Sequence, residues 1–167
     1  MQTVRRGILM ALLASASLAA TSLQPSSPPG FTVEQILAFP SPENLVASPV
    51  GATIAWTFNE RGVRNVYVAH GPACEPRRLT PYREDDGQEL TQLSFTRDGA
   101  ALIYVRGGDH GSNRQAEAPP NPAGNPVQPK VQIWSVPVAG GAPRLVGDGD
   151  EPAAAPDSAR VAFVRNK

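Results

Sequence analysis

Three copies of one short pattern constrain this chain more than any other feature. The clearest copy is Leu93-Ser94-Phe95-Thr96-Arg97-Asp98-Gly99-Ala100-Ala101-Leu102-Ile103-Tyr104-Val105-Arg106. Leu93 and Phe95 alternate with polar neighbours, the period of a half-buried strand. Arg97-Asp98-Gly99 reads as a turn, because glycine takes positive φ without a Cβ clash and aspartate hydrogen-bonds its own backbone. Leu102-Ile103-Tyr104-Val105 has the β-branched and aromatic composition of a buried strand. The pattern recurs at 47–56 and at 155–164. In each copy a turn residue precedes an aliphatic and then an aromatic, as Gly51/Ile54/Trp56, Gly99/Leu102/Tyr104 and Ser158/Val161/Phe163. The offsets are 99 − 51 = 48 and 158 − 99 = 59. The first is close to one propeller blade of about 40–50 residues. The second fits a blade that carries an insertion at 107–129, a stretch rich in Pro, Gly and Asn. A meander of unrelated hairpins is the alternative reading.

A second repeated half-unit supports the blade. Asn65-Val66-Tyr67-Val68-Ala69 is followed by Pro76-Arg77-Arg78-Leu79-Thr80. Gln132-Ile133-Trp134-Ser135-Val136 is followed by Pro143-Arg144-Leu145-Val146. Both read strand, turn, short strand. The expected class is therefore all-β: a partial β-propeller of about two and a half to three blades of antiparallel four-stranded sheet, with a short amino-terminal helix. The blades fall near 47–82, 90–150 and 151–167. The 18 prolines and 15 glycines among 167 residues agree with many turns and few long helices.

Residues 1–20 read as a secretory signal peptide. Arg5-Arg6 form a positive start, Gly7–Ala14 a short apolar core, and Ala14–Ala20 a run of small residues suited to cleavage. The expected location is exported, periplasmic or secreted, with no membrane attachment after signal removal. Residues 21–46 form a leader and a short capping helix. In that helix Thr32 and Gln35 fit a capping box, Val33, Ile36 and Leu37 share one face, and Pro40 and Pro42 end the segment. The helix is expected to dock beside the first blade. Residues 47–167 form an incomplete propeller, which implies the front part of a longer protein, since closure takes about 4–8 blades. Fifteen basic residues balance fifteen acidic ones, so there is no electrostatic case for a nucleic-acid partner. Cys74 is the only cysteine and rules out an internal disulfide framework.

Residues able to carry chemistry are few. Glu84-Asp85-Asp86-Gly87-Gln88-Glu89 concentrates carboxylates without the alternating spacing of a dedicated Ca²⁺ loop, and reads as a solvated acidic turn; no metal ligands are assigned. The long loop from Gly107 contains Asp109 and His110, the candidate substrate-binding residues, on a segment that reads either as a flap over an entrance or as a low-complexity decoration. No cofactor is implied.

Taken together, the helix at 31–39, Ser48-Pro49, Phe95-Thr96-Arg97-Asp98-Gly99, Val105-Arg106-Gly107-Gly108-Asp109-His110 and Val131–Pro137 resemble the start of a prolyl-oligopeptidase-family serine peptidase. Within that family the chain is most similar to the dipeptidyl-aminopeptidase and acylaminoacyl-peptidase group, over residues 31–167. The resemblance implies a propeller that filters peptides reaching a C-terminal α/β-hydrolase domain with a Ser–Asp–His triad. This chain departs from the pattern. No serine stands in a Gly-x-Ser-x-Gly elbow, His70 and His110 are the only histidines, and no two glutamates are adjacent. No catalytic residue is carried over. The implied partners are peptide substrates, met through a hydrolase domain absent from this chain; the oligomeric state is left open. The alternative is a Tol-associated-type periplasmic propeller that binds protein partners.

Overall fold

The structure, a computed structural model, describes residues 30–108, 127, 129–157 and 160–165. Three antiparallel sheets follow one another along the chain. The first contains β1 (Ser41–Ala47), β2 (Thr53–Glu60), β3 (Val63–His70) and β4 (Arg77–Arg78), in spatial order β1-β2-β3-β4. The second contains β5 (Leu90–Phe95), β6 (Ala101–Arg106), β7 (Gln132–Pro137) and β8 (Arg144–Asp148), also in sequence order. The third is the hairpin of β9 (Asp150–Ala154) and β10 (Val161–Val164). Two four-stranded meanders and the opening hairpin of a third make a partial β-propeller, as the repeat implied.

The repeat is confirmed at the level of single hydrogen bonds. Each first-to-second-strand turn is closed by the same backbone bond: Ser48 N–H to the Thr53 carbonyl at 2.8 Å, Thr96 to Ala101 at 2.9 Å, and Ala155 to Arg160 at 2.8 Å. Ser48, Thr96 and Ala155 are separated by the same offsets of 48 and 59 residues as the turn residues. Unrelated hairpins have no reason to share both spacing and bond pattern. Between β2 and β3, Arg61 (φ 54°) and Gly62 (φ 87°) form a two-residue turn with both φ values positive, the geometry that matches strand twist. β6 and β7 pair from Ala101↔Pro137 to Arg106↔Gln132, so residues 107–131 connect two neighbouring strands.

Packing explains the composition of each strand. One core unites Ala55, Val66 and Val68 of the first sheet, and Leu79 just after β4, with Leu90, Leu93, Phe95, Leu102, Tyr104 and Val136 of the second. A smaller core packs Ile103, Val105 and Ile133 against Val131, Ala154, Val161 and Phe163. β6 thus carries a sheet on both faces, which is why Leu102-Ile103-Tyr104-Val105 is apolar without alternation. β2 is covered on one face only: Ala55 and Thr57 are buried, while Ile54, Trp56 and Phe58 are not.

One boundary reading changes, and so does the expected docking of the helix. The first sheet starts at Ser41, six residues before the expected Ala47 (47 − 41 = 6), and includes Pro42. β1 pairs only with β2, and a proline is tolerated on such an edge strand because its missing N–H costs no ladder bond there. The helix α1 (Val33–Leu37) forms with the expected capping box: Thr32 Oγ1 accepts from Gln35 N–H at 3.1 Å and Gln35 Oε1 accepts from Thr32 N–H at 2.9 Å. It does not dock on a blade, however. Val33, Ile36 and Leu37 all stay more than 60% exposed. No helix among the described residues is long and apolar enough to cross a membrane.

Candidate functional site

The first strands of the three sheets lie side by side, β1 beside β5 and β5 beside β9. Each is interrupted at the same point. The register shifts between Glu43 and Val46 in β1, between Thr91 and Ser94 in β5, and opposite Ala162–Val164 in the β9 pair. At each shift stands a non-glycine residue in the left-handed region: Asn44 (φ 55°), Gln92 (φ 51°) and Glu151 (φ 52°). Their spacing, 92 − 44 = 48 and 151 − 92 = 59, is again that of the repeat. A bulge re-aims the side chain it carries and ends regular pairing, and such positions recur at functional rims.

Two of the three bulge side chains reach across to the next sheet. Asn44 Nδ2 donates to the Leu90 carbonyl at 3.0 Å and to Thr57 Oγ1 at 3.0 Å, and Thr57 Oγ1 donates to the Glu43 carbonyl at 3.2 Å. Gln92 Nε2 donates to Asp150 Oδ1 at 2.8 Å, and the same oxygen accepts from Glu151 N–H at 2.8 Å. Asp150 is buried. Carboxamides therefore tie the inner strands in sequence. A bond to a charged acceptor contributes about 1.5–3 kcal/mol, against about 1 kcal/mol for a neutral one.

Beside these ties, between the first two sheets, a cleft of about 590 Å³ is lined by Glu43, Asn44, Asn59, Arg64, Glu89, Leu90, Thr91 and Gln92. Its lining offers carboxylates, carboxamides and one guanidinium. Such a lining can hydrogen-bond a polar ligand. Sequence reasoning missed Asn44, Gln92 and Glu151 as a set. The signal was present, since polar residues recur there at the repeat spacing, but nothing local to each one marks a left-handed bulge.

A separate polar cluster is centred on the buried Asn65, Thr80 and Tyr104. Asn65 Oδ1 accepts from Thr80 Oγ1 at 2.9 Å and from Tyr82 N–H at 3.1 Å, while its Nδ2 donates to the Tyr82 carbonyl at 3.0 Å. The Tyr82 and Tyr104 hydroxyls share a hydrogen bond at 2.8 Å. Burial pushes both phenols above their ordinary range, Tyr104 by far the more. The Arg106 guanidinium lies 4.6 Å from the Tyr82 ring centroid and pairs with Asp86.

The sequence-derived candidates fare differently. Asp109 and His110 lie outside the described residues. In the acidic stretch, Asp85 Oδ1 accepts from Gly87 N–H at 3.3 Å and Asp86 Oδ1 from Gln88 N–H at 3.0 Å, so both carboxylates close their own turn. Among the described residues no group of three or more His, Cys, Asp or Glu is placed to hold a metal ion. His70, at the exposed end of β3, faces Thr53 across the ladder with Nδ1 2.8 Å from Thr53 Oγ1, a cross-strand polar pair. Cys74 is exposed. No family model matches the chain, and no curated protein matches it.

Proposed function

We propose that this chain is the non-catalytic amino-terminal propeller portion of an exported serine peptidase of the prolyl-oligopeptidase family, where it limits which peptides reach a hydrolase domain. The observation that carries the reading is the inner edge, where β1, β5 and β9 run together and present bulged polar residues beside a polar cleft. A filter for peptides needs polar groups lining an opening on strands held rigid by the sheets behind them, and the cleft lined by Glu43, Asn59, Arg64 and Glu89 beside the tied strands supports that reading. The order of the Ser-Pro, Asp-Gly and Gly-Gly-Asp-His motifs supports the family. The run from Arg5 to Ala20 supports export.

The deciding experiment is to sequence the reading frame downstream of the Lys167 codon. The expected result is an open frame that reaches a Gly-x-Ser-x-Gly elbow. Further blades followed by a stop, with no such elbow, would instead make the protein a propeller that binds protein partners. The purified chain is expected to hydrolyse no chromogenic peptide, and hydrolysis blocked by a serine-directed reagent would overturn the non-catalytic assignment. For export, residues 1–30 fused to a reporter active only outside the cytoplasm should yield a signal, and a silent fusion with stable expression would refute it.

A further inference from the structure

A second cavity, of about 680 Å³, opens between the first two sheets where β2 begins and β3 ends. On one side stand Thr53, Val68 and His70, with the segment from Ala73 to Arg77 that leads into β4. On the other stand Val138 and Ala139, which follow β7. Both walls come from the two four-stranded sheets and their turns. The cavity shares no lining residue with the inner-edge cleft.

Its floor is apolar. Val68 is buried in the larger core, and Val138 packs against that core. Its rim carries charges of both signs, because Glu75 and Arg77 are both exposed. Arg77 Nη2 donates to the Val138 carbonyl at 2.5 Å. That bond holds the guanidinium across the junction and leaves its other N–H groups uncommitted. The Glu75 carboxylate has no hydrogen-bond or ion-pair partner among the described residues, Arg77 included. Two opposite charges, two residues apart in sequence, therefore stand at one apolar cavity without neutralising each other. His70 Nδ1 is taken up by Thr53 Oγ1, which leaves Nε2 as a further polar atom at the rim.

We propose that this cavity binds a small zwitterion with an apolar body, the chemistry of a free apolar α-amino acid. The ligand's side chain covers Val68 and Val138 and extends the core outward. Its carboxylate accepts from the remaining N–H groups of Arg77, whose planar fork suits a two-oxygen acceptor. Its ammonium donates to Glu75. A ligand with only one of the two charges meets one attraction and one repulsion at the rim, so the zwitterion is favoured over a simple anion or cation. The proposal does not rest on the peptidase reading, since it involves no cleavage and none of the cleft residues.

The test is an amide NMR titration of the full chain with L-leucine, N-acetyl-L-leucine and L-leucinamide. L-leucine should give saturable shifts centred on the amides of Glu75, Arg77, Val138 and Ala139. Each blocked analogue should bind about tenfold or more weaker, because it loses one charge-assisted hydrogen bond. Glu75→Gln should weaken L-leucine by a similar factor while N-acetyl-L-leucine binds no weaker than before. Arg77→Gln should weaken L-leucine while L-leucinamide binds no weaker than before. A general loss of structure cannot produce these opposite selectivities. No saturable shift with L-leucine, equal affinity for the three ligands, shifts centred elsewhere, or unchanged L-leucine affinity in either folded variant would overturn the proposal. Arg77→Gln also removes the bond to Val138. If it disturbs the fold by circular dichroism, Glu75→Gln and the ligand series on the wild type decide the question with the same expected outcomes.

Discussion

Gly51 and Gly99 occupy the same place in two equivalent turns, with φ of 71° and 68°, yet their surroundings differ. Replacing Gly51 with alanine should cost about 1–2 kcal/mol, the penalty of a Cβ in the left-handed region. Gly99→Ala meets that penalty and also drives a methyl into Ser48 and Val50, so it should cost about 1–3 kcal/mol more by overpacking. Urea titration of both variants checks the difference, and equal losses would mean that Ser48 and Val50 yield to the added methyl at no cost. A second residue-scale prediction concerns the buried phenols. Burial raises the Tyr104 and Tyr82 pKa values above the ordinary 10.0, so the fold holds the neutral forms. The stability tied to them is fully present below pH 10.0 and is lost as pH rises through the folded values, because the unfolded chain ionises first. Tyrosinate absorbance should therefore rise together with the loss of circular dichroism, and ionisation of all three tyrosines before unfolding would contradict this.

At the scale of elements, the inner-edge bulges and the helix make opposite predictions. Gln92→Ala removes a donor from the buried Asp150 carboxylate, and should cost about 1–3 kcal/mol by chemical denaturation. A loss below a few tenths would show that the amide tie contributes nothing. Thr32→Ala removes the capping box and weakens the helix locally by about 0.5–2 kcal/mol. The thermal midpoint should stay unchanged, because α1 exposes its apolar face and shares no cooperative core with the sheets. Faster amide exchange confined to residues 33–37 is the expected readout. A fall in global stability would mean that the helix packs in solution. The expectation that the helix docks failed for an instructive reason. Its cap is a contact over three residues, visible in a string of letters, whereas docking requires a distant surface that no local pattern specifies.

For the molecule as a whole, the cost of a core truncation should depend on how many neighbouring sheets cover the site. Leu102→Ala, between two sheets, should cost about 2–5 kcal/mol. The repeat-equivalent Ile54→Ala, on the open face, should cost about 1 kcal/mol or less in the monomer. Similar losses at both positions would require the first sheet to be covered on its outer face already.

The β class, the order of strands within each blade and the repeat offsets were legible in the letters because they rest on alternation and turn chemistry, which act over a few residues. Even the double burial of β6 was written in the unbroken run Leu102–Val105. Tertiary structure alone decided the rest. Pro42 became strand because β1 has one neighbour rather than two. Asn65 was a strand residue until Thr80 and Tyr82 closed around it. Asn44 and Gln92 became inter-sheet ties only when the sheets stacked. Which face of a strand is buried, and which carboxamide finds an acceptor, depends on a sheet many residues away, and that information resides in the packing rather than in any one segment.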